Sequence, residues 1–167
     1  MKFTQFLQRY KRSPGDFIPI SRHKILKPPF ISKVQTDGSF TNDMSRTAVL
    51  LTTFKKEEFK LSNTYYDNQN STEAEWRSVQ DGIVYSLKKD CGAIELENDN
   101  LGVMTHLIKQ NPPAQGYLAN YYYDILQLAR QMEWLSIRWI PRYLNRADDI
   151  FRVNKKKLPP NNVKYLN

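Results

Sequence analysis

From residue 30 onward the spacing of apolar positions changes period several times, and each change predicts an element. Residues 30–36 read as a strand leading into Asp37-Gly38-Ser39, 46–54 are rich in β-branched and apolar residues, and 58–66 alternate through Phe59, Leu61 and Tyr65. With Asn42-Asp43 and residues 55–57 as turn material, these three runs predict an antiparallel meander. The period then lengthens. Trp76, Val79, Ile83 and Leu87 fall three and four apart, which predicts a helix over 72–89 with one apolar stripe. Residues 93–97 predict a short strand, and 101–109 a helix that Pro112-Pro113 must end. Leu118, Tyr122, Ile125, Leu128 and Met132 mark a further helix, and Leu135, Ile137 and Trp139 alternate as a strand that Pro141 closes. Asn145 is placed to cap a last short helix that stops before Pro159-Pro160.

Three strands, helix, strand, two helices, strand and helix predict the α/β class. The expected form is a five-stranded mixed sheet, three strands antiparallel and then two parallel, with helices on both faces. Upstream of this pattern, Pro14, Pro19, Pro28 and Pro29 interrupt a stretch carrying seven Lys and Arg against Asp16, so 1–30 are expected to form an irregular basic arm. The domain itself is expected over 31–158, with a tail at 159–167. No internal repeat is visible.

Composition narrows the function classes. The chain has 25 Lys and Arg against 17 Asp and Glu, a net charge of +8, which points to a polyanionic partner such as DNA or RNA. Cys91 is the only cysteine, which excludes an intrachain disulfide and leaves a zinc cluster or a cysteine–histidine catalytic pair short of ligands. No apolar run approaches the roughly 20 residues that span a bilayer, and the first ten residues lack the apolar core of a secretory signal. The expectation is an intracellular protein, cytoplasmic or nucleoid-associated, without a membrane partner or a small-molecule cofactor.

The acids that invite chemistry sit at element ends: Asp37 after the first strand, Glu75 in the first turn of the first long helix, Asp99 after the fourth strand, and Asp149 in the opening turn of the last helix. Strands sharing a sheet can bring such ends together. Clustered carboxylates repel unless cations neutralise them, and hard oxygen ligands favour magnesium or manganese. Each acid also has an ordinary explanation. Thr72-Glu73-Ala74-Glu75 fits a capping box, Asp37-Gly38 is a common turn, Asp99 between Asn98 and Asn100 suits a cap, and Asp148 and Asp149 suit a helix dipole.

In their order along the chain these residues resemble the ribonuclease H family, particularly the reverse-transcriptase-like domains of plants and archaea. The resemblance rests on Thr36-Asp37-Gly38-Ser39, Ala74-Glu75-Trp76, Glu97-Asn98-Asp99-Asn100, and Ile140-Pro141-Arg142 through Asn145-Arg146-Ala147-Asp148-Asp149. It covers roughly 31–153. It implies metal-binding acids at Asp37, Glu75, Asp99 and Asp149, with Glu73 and Asp148 as neighbours that would replace Glu75 and Asp149 in a shifted register. It further implies two Mg2+ ions, replaceable by Mn2+, and hydrolysis of the RNA strand of RNA/DNA hybrids.

Two departures stand out. The histidine that many members carry ten residues before the last acid is Trp139 here, and the 107–117 loop lacks the basic, Trp-rich protrusion of some bacterial relatives. Positive charge lies instead in the amino-terminal arm, Arg142, Arg146 and 155–157, placed to grip phosphates. Ser39, Asn42, Ser71 and Asn98 lie near the acids in sequence and are candidates for ribose contacts. His106 reads as a structural histidine. The competing expectations are a ribonuclease H-like module that binds nucleic acid with weak or no catalysis, and a nuclease of related fold acting on double-stranded RNA or DNA junctions. Two acids one residue apart on the first strand would mark a proofreading exonuclease, and Asp37-Gly38-Ser39 does not fit that.

Overall fold

The computed structural model describes residues 18–19 and 27–156, with side chains from 27 to 152. Most of the basic arm and the lysines at 157 and beyond lie outside the described residues. The elements are β1 (Ile18–Pro19), β2 (Ser32–Thr41), β3 (Met44–Thr52), β4 (Glu58–Tyr65), α1 (Ser71–Lys88), β5 (Ala93–Asn98), α2 (Leu101–Lys109), α3 (Gly116–Gln131), β6 (Trp134–Trp139), a 3-10 turn (Arg142–Leu144) and α4 (Asp148–Lys156).

The expected mixed sheet is present. β2, β3 and β4 form the antiparallel meander, while β5 pairs parallel with both β2 and β6. The strand order is β1-β6-β5-β2-β3-β4. The outermost strand is an addition from the arm: Ile18–Pro19 pair antiparallel with Ile137 and Ser136, so part of the stretch expected to be irregular caps the β6 edge.

One boundary differs in a way that matters. Asp37-Gly38-Ser39 was expected to end the first strand, yet β2 runs through it to Thr41, and Asp37 pairs with Ala48 in mid-sheet. The turn is Asn42-Asp43 alone, with φ of 53° and 58° at the two residues, the left-handed backbone that a two-residue hairpin requires. Gly38 serves close approach rather than turning, because a Cβ there would run into the Ala74 carbonyl oxygen of α1. Gly82 plays the reciprocal part on α1, where a Cβ would strike the Thr36 side chain of β2. The pair lets α1 lie directly against β2 and carries its first turn to the side of Asp37.

The two sheet faces bury different things. Toward α1, α2 and α3, Val34, Val49, Leu51, Ile94, Leu96, Leu135 and Ile137 pack with Trp76, Val79, Ile83, Met104, Leu107 and Ile125 in the main core. The predicted stripe of α1 is this inner face. Toward α4 the apolar cluster shrinks to Ala48, Leu50, Ala147, Ile150 and Phe151, and Gln35, Asp37 and Glu97 are buried on that face. Among the described residues no helix is long and apolar enough to cross a membrane.

Candidate active site

Strand β2 supplies the centre of the site. Asp37 is buried on the α4 face, and its Oδ1 accepts the neighbouring Gly38 amide at 3.0 Å. Glu75 arrives from α1 because the capping duty lies elsewhere. The N-cap of α1 is Asn70, whose side chain accepts the Glu73 amide, and Glu73 returns a bond from the Gln69 amide. The box expected over 72–75 therefore sits two residues earlier and leaves Glu75 free. Asp99 is freed in the same way, since Asn100 caps α2 by accepting the Val103 amide at 2.9 Å.

Oxygen atoms of Asp37, Glu75 and Asp99 all lie within 4.8 Å of one another. They line a cleft of about 290 Å³ together with Ser39, Asn100, Arg142 and Asp148. The acids have few donors to spread their charge. Burial first, and the charges of Asp37 and Asp99 second, push the Glu75 carboxyl up to about 9. Burial, then the Asp99 charge, pushes Asp37 up to about 7. Asp99 is also raised by burial, against the pull of the Arg142 guanidinium. At neutral pH the cleft therefore holds protons unless a cation takes their place. An all-oxygen set under mutual repulsion and open to solvent fits a hard divalent ion.

The fourth acid is a correction. Asp149 was expected in the cluster, but its side chain is 65 % exposed and lies 3.6 Å from Arg152, whereas Asp148, 13 % exposed, lines the cleft and raises the Asp37 carboxyl. Helical geometry gives the reason. Ala147, Ile150 and Phe151 press α4 onto the sheet, and at about 100° per residue this turns Asp149 to the outside and leaves Asp148 at the rim of the buried face. The signal was in the sequence, in the apolar stripe of α4 rather than in the acids.

Of the residues expected to touch nucleic acid, Ser39 and Arg142 line the cleft. The others do not share it. Asn98 is fully buried, donating to the Thr36 carbonyl and hydroxyl at 3.0 Å each and to Glu75 Oε2 at 3.4 Å, while accepting the Asn100 amide at 2.7 Å. It positions Glu75 and ties β5 to β2, and cannot reach a ribose. Arg146 is paired with Glu58 Oε1 at 2.7 Å at the start of β4. Asn42 is at the exposed hairpin tip, and Ser71 is exposed in the first turn of α1.

Asn145 acts before its helix begins: it donates to the Thr36 carbonyl at 2.9 Å and accepts the Ala147 amide at 3.1 Å, pinning the approach to α4 onto β2. Trp139 donates from Nε1 to the Asp99 carbonyl at 2.9 Å and so braces the backbone of an acid. His106 is bonded to the Asn111 carbonyl at the end of α2, a structural place as expected.

The comparisons with known proteins agree with this architecture. The model of the reverse-transcriptase-like family matches residues 35–151. Among solved structures, RNase H1 of the halophilic archaeon Halobacterium salinarum superposes with a TM-score of 0.66 at 18 % identity, covering 71 % of this chain and 92 % of that one. The N-terminal RNase H domain of a Mycobacterium tuberculosis protein gives 0.60 at 16 % identity over 75 % and 96 %. LC11-RNase H1, isolated from compost by a metagenomic approach, gives 0.62 at 16 % over 71 % and 91 %. A comparison with curated protein sequences finds no match. With a family match spanning every acid of the cleft and a sheet that superposes on ribonuclease H structures, the chain belongs to the reverse-transcriptase-like family of the ribonuclease H fold.

Proposed function

We propose that this protein is a ribonuclease H that hydrolyses the RNA strand of RNA/DNA hybrids with two divalent cations, Mg2+ or Mn2+, held by Asp37, Glu75, Asp99 and Asp148. The observation that carries the reading is the convergence of three acids from three separate elements within 4.8 Å, at the floor of an open cleft that holds Arg142. Bound there, such ions supply the positive charge on which attack at a phosphodiester and departure of the leaving oxygen depend.

The chain's own residues do the rest. Asp37 and Asp99 share the centre, Glu75 is held to the helix side by Asn98, and Asp148 closes the rim. Arg142 offers a guanidinium to a backbone phosphate, and Ser39 a hydroxyl to a ribose. The net charge of +8 draws the duplex in and makes binding fall with salt. LC11-RNase H1 is described in complex with an RNA/DNA hybrid, which supports the same class of substrate here.

One observation favours a second reading, a module that binds hybrids and cuts them poorly. The histidine position holds Trp139, which is committed to the Asp99 backbone, and counting ten residues back from Asp148 instead reaches Arg138, which is paired with Glu97. Neither offers an imidazole for proton transfer. The deciding experiment incubates wild type and Asp37→Asn with labelled hybrid, double-stranded RNA and a four-way DNA junction in Mg2+ and in Mn2+. Cleavage of the hybrid's RNA strand by wild type alone is the expected result. Equal cleavage by both proteins rejects the assignment, and tight hybrid binding without cleavage selects the second reading.

A further inference from the structure

Behind the cleft, on the polar part of the α4 face, lies a charged group that the chemistry above does not use. Glu97 is almost fully buried and accepts from Arg138 Nε at 3.0 Å and again from the Arg138 guanidinium, with Lys33 Nζ at 3.0 Å. Its remaining partner is Gln35 Nε2 at 2.9 Å. Gln35 is buried two residues before Asp37 on the same face of β2, and it reaches across to the segment that delivers Asp148: Nε2 also donates to the Leu144 carbonyl at 3.2 Å, and Oε1 accepts the Arg146 amide at 3.2 Å.

These partners leave the amide one orientation. Glu97 and the Leu144 carbonyl only accept, so both must face Nε2, and the Arg146 amide only donates, so it must face Oε1. A flipped amide would lose every bond and set oxygen against oxygen. From this geometry, and resting on the reading of the cleft as a two-cation nuclease site, we infer that Gln35, oriented by Glu97, is a positioning residue that fixes the 144–146 backbone and thereby sets Asp148 at the edge of the cation site. Together with Asn145 on the Thr36 carbonyl, it nails three consecutive residues to β2 immediately before α4. Asp37 and Glu75 stand on β2 and α1, and Asp99 just past β5, where Trp139 braces its backbone. Loss of the clamp therefore weakens the Asp148 side of the site selectively.

The test is a Mn2+ titration of wild type, Gln35→Met and Gln35→Glu, counting bound ions by calorimetry, with melting curves and amide exchange at Arg146 recorded on the same samples. Methionine keeps the length of the side chain without its hydrogen bonds. Glutamate sets a carboxylate against Glu97 and the Leu144 carbonyl. The expected result is two ions in wild type and, in Gln35→Met, one ion held as before and one weakened about tenfold, with faster exchange at Arg146. Gln35→Glu is expected to weaken the same ion more, and excess Mn2+ to restore cleavage by Gln35→Met. Unchanged affinities for both ions, or equal loss at both, overturns the positioning role. Should Gln35→Met not fold, Gln35→Asn, which stays polar but falls short of 144–146, is judged by the same selective loss. A wild type that takes up no Mn2+ rejects the nuclease reading itself, and the positioning role falls with it.

Discussion

Glu73 and Glu75 stand two residues apart in the first turn of α1, yet they meet opposite surroundings. Glu73 accepts from Asn68 at 3.1 Å, the Gln69 amide at 2.9 Å and Tyr121 at 2.8 Å, so its charge is spread over donors and it joins α1 to α3. Asp81, further along the same helix, is treated likewise by Thr47, Asn63 and Tyr65. Glu75 meets Asp37 and Asp99 instead, with one long bond from Asn98. Acids on one side of α1 are finished hydrogen-bond networks, and those on the other are unfinished until a cation or protons arrive. The first kind holds the fold together, and the second is held in place by it.

The sharpest way to break this contrast is to neutralise one acid of each kind. Asp37→Asn should lower hybrid cleavage about a thousandfold, some 4 kcal/mol of lost transition-state stabilisation, while raising the melting temperature of the cation-free protein, because a repelling charge is gone. Cleavage rates and melting curves on one preparation check both halves. Next in size, Asp148→Asn should cost about thirtyfold in cleavage and Asp149→Asn less than about twofold. The reverse order would restore Asp149 to the site.

Glu73→Gln should behave in the opposite sense to Asp37→Asn. Cleavage stays within about threefold of wild type, but stability falls by about 2 kcal/mol, seen as a melting temperature lower by roughly 6 °C. The most gradual effect is on pH. Asp37 and Glu75 keep protons in the folded state that the unfolded chain has released, since their carboxyls are raised to about 7 and about 9. Folded protein then binds more protons than unfolded, so the cation-free protein loses stability as pH rises from about 4 toward 9, seen as a melting temperature that falls as pH is raised. Mg2+ replaces the protons and should flatten that slope, and Asp37→Asn should lessen it without Mg2+, leaving the part that burial of Glu75 contributes.

Much of the fold was legible because its periods are clean. The meander, the Asn42-Asp43 turn, the α1 stripe and the two parallel strands follow from alternation and three-four spacing. What misled was residue type taken without its neighbours. Gly38 looks like a turn residue, but the constraint that requires glycine comes from Ala74 across a packing contact that no local pattern reveals. Asn98 looks like a surface polar group beside an acid, but as the last residue of β5 paired with Thr36 it points inside. Arg146 looks like a free phosphate ligand, and Glu58 on β4, 88 positions away, claims it. The meeting of Asp37, Glu75 and Asp99 was readable from order alone, and the turning of Asp148 rather than Asp149 toward the cleft needed the α4 stripe.

Proton release on cation binding measures the central contrast most directly. A pH-stat titration with Mg2+ at pH 7.5 should liberate about one proton per wild-type molecule, chiefly the one that Glu75 holds, with less release from Asp37→Asn because it takes up less Mg2+, and full release from Glu73→Gln. If wild type takes up Mg2+ with no proton leaving, or takes up none, the acids of the cleft are not the unfinished site described above.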